Sequence, residues 1–87
     1  MMMIDISRSA TRFLENLPPK QYKQVAARVL KLPRDPHPQD SKHLTGNPGC
    51  KRIDSGEYRI IYRLENEVVK IVVIGKRNDD SAYRTLR

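Results

Sequence analysis

The sequence predicts an α+β domain in which a helix pair packs on an antiparallel sheet. Three observations carry that expectation. Two apolar stripes at helical spacing lie within residues 10–32, split by Pro18-Pro19. Two alternating runs, 58–64 and 67–74, flank Glu65-Asn66 and read as a β-hairpin. A short apolar segment precedes the first helix. With 87 residues and 38% hydrophobic content, the chain supports one domain, residues 1–87, around a small core.

Residues 2–6 read as a strand. Ser7 or Ser9 can cap the next helix, since a side-chain oxygen there accepts from a free N–H of the first turn. Ala10, Phe13, Leu14 and Leu17 form its apolar stripe. The helix ends at Pro18-Pro19, where each ring removes a donor. A second helix is expected from Lys20 to Leu32, with Tyr22, Val25, Ala26, Val29 and Leu30 as its stripe, stopped by Pro33. So short a break between the two makes them an antiparallel pair. Residues 33–49, rich in Pro, Gly, Asp and Asn, read as an ordered surface connection anchored by Leu44.

The remainder adds three strands, giving an antiparallel sheet of about four with the N-terminal one: residues 51–55, a turn at Ser55-Gly56, then the hairpin strands 58–64 and 67–74, with Gly75 ending the last. A two-residue turn at Glu65-Asn66 sets Arg59, Ile61 and Arg63 opposite Val72, Lys70 and Val68. Tyr58, Ile60, Tyr62, Val69, Ile71 and Val73 then share the face that takes the helices, and the charged face is open. Asp79-Asp80-Ser81 offers a cap for a short C-terminal helix ending at Arg87.

Lys and Arg number 17 against 10 Asp and Glu, a net charge of +7 that favours a polyanionic partner, either nucleic acid or an acidic protein. Cys50 is the only cysteine, which excludes a disulfide framework and leaves a packed or half-exposed thiol. MMMIDIS has no basic leader or small-residue cleavage site, and no apolar run approaches the roughly 20 residues that span a bilayer. The expected compartment is the cytoplasm, with no membrane partner. His37 and His43, in the connection, read as structural or surface residues.

The last third of the chain carries the chemistry. Arg59 stands at the head of the hairpin, Arg77 just past its end, and Tyr83 six residues further on. Two permanent charges and a phenol on one small sheet suit a phosphodiester. In the expected register Arg77 lies five residues beyond the partner of Arg59, about 17 Å if extended. To share a phosphate with Arg59, the chain after Gly75 would have to fold back over the open face.

Three segments, LTGNPGCKRI, GEYRIIYRL and VVKIVVIGKRNDDSAY, resemble the RelE branch of the RelE/ParE toxin superfamily of bacterial toxin–antitoxin systems. The likeness covers nearly the whole chain in layout and is residue-specific from Leu44 onward. It implies a ribosome-dependent endoribonuclease that cleaves messenger RNA in the A site by 2′-OH attack, without metal or other cofactor. It also implies a cognate antitoxin, RelB-like and acidic, in a heterotetramer or higher complex, and the ribosome with bound message as partner. By that resemblance Arg59 clamps the phosphate, Arg77 stabilises the phosphate or protonates the leaving group, and Tyr83 stacks on or orients the base and ribose. Lys51 and Arg52 fall where the family places lysines, and Asp54 replaces a second one. An arginine does not readily release its proton. Either Lys51 with a lowered pKa is the base, or Asp54 as a carboxylate is, or the alignment slips across the shorter turn, so the identity of the base is open. Lys76, Asp54 and Arg63 are further candidates for holding the substrate.

Two other readings compete. A ParE-like toxin shares the fold but inhibits DNA gyrase without cutting RNA. The Arg77 and Tyr83 pair argues against it, while the absence of a firmly placed base argues for it. A plain basic adaptor would be held to its partner by salt-sensitive phosphate contacts.

Overall fold

A computed structural model describes residues 1–78 of the chain. The elements are β1 (Met3–Ile6), α1 (Arg8–Glu15), α2 (Pro19–Lys31), β2 (Lys42–His43), β3 (Cys50–Ser55), β4 (Tyr58–Glu65) and β5 (Val68–Lys76). The five strands form one sheet in the order β1-β5-β4-β3-β2. It is mixed: β1 runs parallel to β5, and the remaining pairs are antiparallel. The expected four-strand antiparallel sheet therefore gains a strand, β2, and a parallel edge. Lys42-His43 pairs with Arg52 and Lys51 although its Pro-rich surroundings carry no strand signal. The expected C-terminal helix lies outside the described residues. Among the described residues no helix is long and apolar enough to cross a membrane.

Local chemistry sets the helices. Ser7 is the N-cap of α1: its Oγ accepts from the Ala10 N–H at 3.1 Å and donates to the Val72 carbonyl at 2.7 Å, tying the helix start to β5. Pro19 occupies the first turn of α2, where its missing N–H costs nothing. In α2, Val25 and Val29 are buried, with Leu32 just beyond, whereas Tyr22 and Leu30 are 46% and 64% exposed. The buried face is thus narrower than the expected stripe and rotated toward Leu32.

The main core lies between the helices and one sheet face: Ala10, Leu14, Val25, Val29 and Leu32 meet Ile53, Ile60, Tyr62, Val69, Ile71 and Ile74. Tyr62 is fully buried, and its hydroxyl donates to the Pro36 carbonyl at 2.8 Å, fastening the 33–49 connection to the sheet. Burial pushes its phenol pKa up. Leu44 is buried as expected, but on the opposite face, where it joins Ile61 and Val73 in a second small cluster edged by Cys50 and Val72. That face is therefore half apolar, with charged residues ranged around the cluster.

The hairpin register differs from the expected one for two physical reasons. The turn residues are Asn66 and Glu67, both with positive φ (51° and 63°), so Glu65 pairs with Val68. This is the left-handed geometry that suits hairpin twist, but it has Glu where Gly is usual, so no Asn-Gly signal marks it. A bulge then follows: Tyr62 pairs with Ile71 and Ile61 with Val73, leaving Val72 as the extra residue. Moving the turn by one residue shifts every partner by two, and the bulge adds one. The partner of Arg59 becomes Gly75 instead of Val72. Ile74, not Val73, faces the helices, and β5 continues through Gly75 to Lys76.

Candidate functional site

The end of the sheet where β3 stops, β4 starts and β5 finishes gathers the charged residues. Asp54 and Arg59 are direct cross-strand partners, and Arg59 also faces Gly75 on β5. The three therefore share the sheet face away from the helices. Arg77 lies in the turn just past the end of β5, and its side chain reaches Asp54 on that same face. The fold-back needed in the expected register is unnecessary. Phe13 of α1 meets Tyr58 edge-on at 5.7 Å between ring centroids, steadying the head of β4 from the opposite side.

Arg59 donates from Nε to Asp54 Oδ1 at 2.9 Å and from Nη2 to Oδ2 at 3.4 Å. Arg77 Nη1 stands 4.0 Å from Asp54 Oδ2 and donates to the Gly56 carbonyl at 3.3 Å, while its backbone N–H donates to Glu57 O. Arg52, two residues before Asp54 on β3, adds a third positive charge on this face, and β2 sets Lys42 beside it. Exposure rises from 15% for the Arg59 side chain to 31% for Asp54 and 52% for Arg77. The site thus runs from a half-buried ion pair to an open cation.

Burial acts to raise the Asp54 pKa. The Arg59 hydrogen bond, with the charges of Arg59, Arg77 and Arg52, outweighs it and holds the carboxyl below its usual value of 3.8. A depressed carboxylate pKa contributes stability that is fully present above the unfolded value and is lost as pH falls through the folded one. The urea midpoint of the wild type should therefore drop more steeply below about pH 4 than that of Asp54→Asn, with the two curves parallel above it.

The other sequence-predicted residues are distributed differently. Lys51 pairs with Tyr62 and so belongs to the helix-bearing side of the sheet, away from Asp54 and Arg59. Its Nζ donates to His37 Nδ1 at 2.8 Å. Arg63 is on the open face but four residues along β4 from Arg59, about 13 Å away. There it shares Glu65 with Lys70, at 3.3 Å and 3.6 Å. Lys76 pairs with Tyr58, so its side chain leaves the sheet opposite Arg59. Tyr83 lies outside the described residues. Lys42 is the residue that sequence reading missed, because a two-residue strand leaves no periodicity to detect. Among the described residues, no three His, Cys, Asp or Glu side chains gather as a metal site would require.

Comparison with known proteins adds a family and a fold. The family model described as "ParE toxin of type II toxin-antitoxin system, parDE" matches residues 4–81. No curated protein sequence matches the chain. Among solved structures, it is similar to the toxin–antitoxin complex RelBE2 of Mycobacterium tuberculosis, at 28% identity and TM-score 0.74, over 87% of this chain and 98% of that one. It is also similar to the archaeal RelE–RelB complex of Pyrococcus horikoshii, at 25% identity and TM-score 0.77, over 90% and 97%. The isolated E. coli RelE toxin shares the fold at 21% identity and TM-score 0.77, over 99% and 95%.

Proposed function

The chain belongs to the ParE toxin family of type II toxin–antitoxin systems and to the RelE branch of the RelE/ParE superfamily, and from that premise we propose that it is a ribosome-dependent endoribonuclease. The observation that carries the reading is the convergence of Arg59, Arg77 and Arg52 on one solvent-facing end of the sheet. In the reaction the ribose 2′-oxygen bonds to the adjacent phosphorus, the bond from phosphorus to the 5′-oxygen breaks, and one proton leaves the 2′-OH while another reaches the 5′-oxygen. The products are a 2′,3′-cyclic phosphate and a 5′-hydroxyl.

The guanidinium groups suit the charge-stabilising part of that reaction. Negative charge builds on the non-bridging oxygens, and fixed donors that need no reorganisation stabilise it most. Arg59 and Arg77 would hold those oxygens, with Arg52 and Lys42 adding field. Tyr83 would stack on the splayed base, worth about 1–3 kcal/mol. Arg63 would meet the RNA backbone farther along the face. Arginine is a poor proton carrier, since its pKa lies above ~12. Activity in free solution should therefore be weak, and an ordered substrate on the ribosome supplies the alignment that these side chains do not. The toxin would work in the compartment that holds translating ribosomes.

A cognate antitoxin follows from the family, and solved RelE neighbours are bound to RelB. A net charge of +7 favours an acidic partner segment laid across the open face.

The competing reading is a gyrase inhibitor, favoured by the name of the matching family model. One pair of assays separates them. Purified wild type added to ribosomes stalled on a defined message should yield A-site cuts by primer extension, and Arg77→Ala should lower their rate by about 10²-fold. Intact message together with blocked gyrase supercoiling would refute the ribonuclease reading.

A further inference from the structure

We infer that Asp54 is the positioning residue of the arginine cluster, its carboxylate holding the guanidinium groups of Arg59 and Arg77 together before any phosphate arrives. The inference rests on the ribonuclease reading for its catalytic consequence but not for its geometry.

The contact is built into the sheet. Asp54 and Arg59 are opposite residues on adjacent strands, a position where unlike charges attract and like charges repel. The carboxylate lies along the Nε–Nη2 edge of Arg59, with Oδ1 at 2.9 Å and Oδ2 at 3.4 Å, and Oδ2 also stands 4.0 Å from Arg77. One oxygen thus faces both arginines. Among the described residues Asp54 is the carboxylate set between these like charges, and the exposed Arg77 is the one that would swing away if it were removed.

The same geometry makes Asp54 a poor general base. A base must take the 2′-OH proton, and its efficiency falls as its pKa drops below the working pH. Although burial acts the other way, Arg59, Arg77 and Arg52 together lower the proton affinity of Asp54. Its oxygens are already committed as acceptors to Arg59.

A positioning anion leaves a particular kinetic signature. It competes with the incoming phosphate for Arg59, so removing it should favour binding while slowing turnover. Asp54→Ala should lower kcat for cleavage of ribosome-bound message by about 10²-fold, with KM unchanged or reduced, because a misplaced guanidinium costs alignment and not attraction. Asp54→Asn keeps one acceptor oxygen for Nε–H and should recover at least about tenfold of that loss. A base would behave otherwise: Asn would be as damaging as Ala, with losses of about 10²–10⁴-fold.

The decisive readout is the Arg59 Nε–H resonance in the ¹⁵N NMR spectrum of the full chain, followed with the cleavage kinetics. Wild type and Asp54→Asn should show it protected from solvent exchange, and Asp54→Ala should lose it. Asp54→Asn is nearly isosteric and keeps the test available if Asp54→Ala unfolds. Equal kcat losses for Asn and Ala, or an Arg59 resonance indifferent to both substitutions, would overturn the proposal. If the resonance behaves as expected while no protein cleaves message, the positioning contact stands and the ribonuclease reading fails.

Discussion

Replacing Arg59 with Ala should reduce cleavage of ribosome-bound message by about 10²–10³-fold, the usual cost of removing one preorganised donor from a developing oxyanion. Arg59 is 15% exposed against 52% for Arg77 and is held by the carboxylate of Asp54, so its position barely depends on substrate. A group already oriented spends little of its interaction on ordering, which concentrates its effect in the transition state. Arg59→Lys should restore only a minor part of the rate. It keeps the charge but loses the fork that engages Asp54 along one edge. Single-turnover primer extension gives the rates, and a urea melt of each variant separates lost chemistry from lost fold.

Ile60→Ala should cost about 2–5 kcal/mol, the range for deleting a buried aliphatic side chain and leaving a cavity. Ile60 is fully buried beneath the helices and stands between its cross-strand partners Ile53 and Ile74. A small domain has only about 5–15 kcal/mol of total stability, so the melting temperature should fall by about 10 °C or more. Leu30→Ala, on the outer side of α2 and 64% exposed, should stay within about 0.5 kcal/mol of wild type. Thermal melts by circular dichroism compare the two. The core row Ile53, Ile60 and Ile74 is one residue removed along each strand from the row Asp54, Arg59 and Gly75. Loosening the first should therefore also disturb the second.

The helices, both hairpin strands and the placement of Arg59 on the face away from the helices were legible in the sequence. Each is dictated by apolar period, by proline or by strand alternation over a long enough run. What was not legible depends on single residues. Glu67 adopts φ of 63° without the glycine that would announce the turn, and Val72 is one more valine in an apolar run, with nothing to mark it as the bulge. Together they carry the partner of Arg59 from Val72 to Gly75 and so bring Arg77 to Asp54. Both arginines stood out in the sequence, which could not show that they share Asp54. β2 escaped detection because its two residues are strand only by virtue of pairing with β3. Lys51, grouped with Arg52 and Asp54 by proximity in the chain, departs from them because adjacent strand residues point to opposite faces.

On the proposed reading, Arg59 and Arg77 act on one phosphodiester as a unit. A double-mutant cycle on the rate of A-site cleavage tests it most directly, with Arg59→Ala, Arg77→Ala and the double variant measured on the same stalled ribosomes. Groups that act together are strongly non-additive, so the double variant should lose little more than the worse single one. If the two losses instead multiply, the arginines work on separate parts of the substrate, and the single-clamp account is wrong.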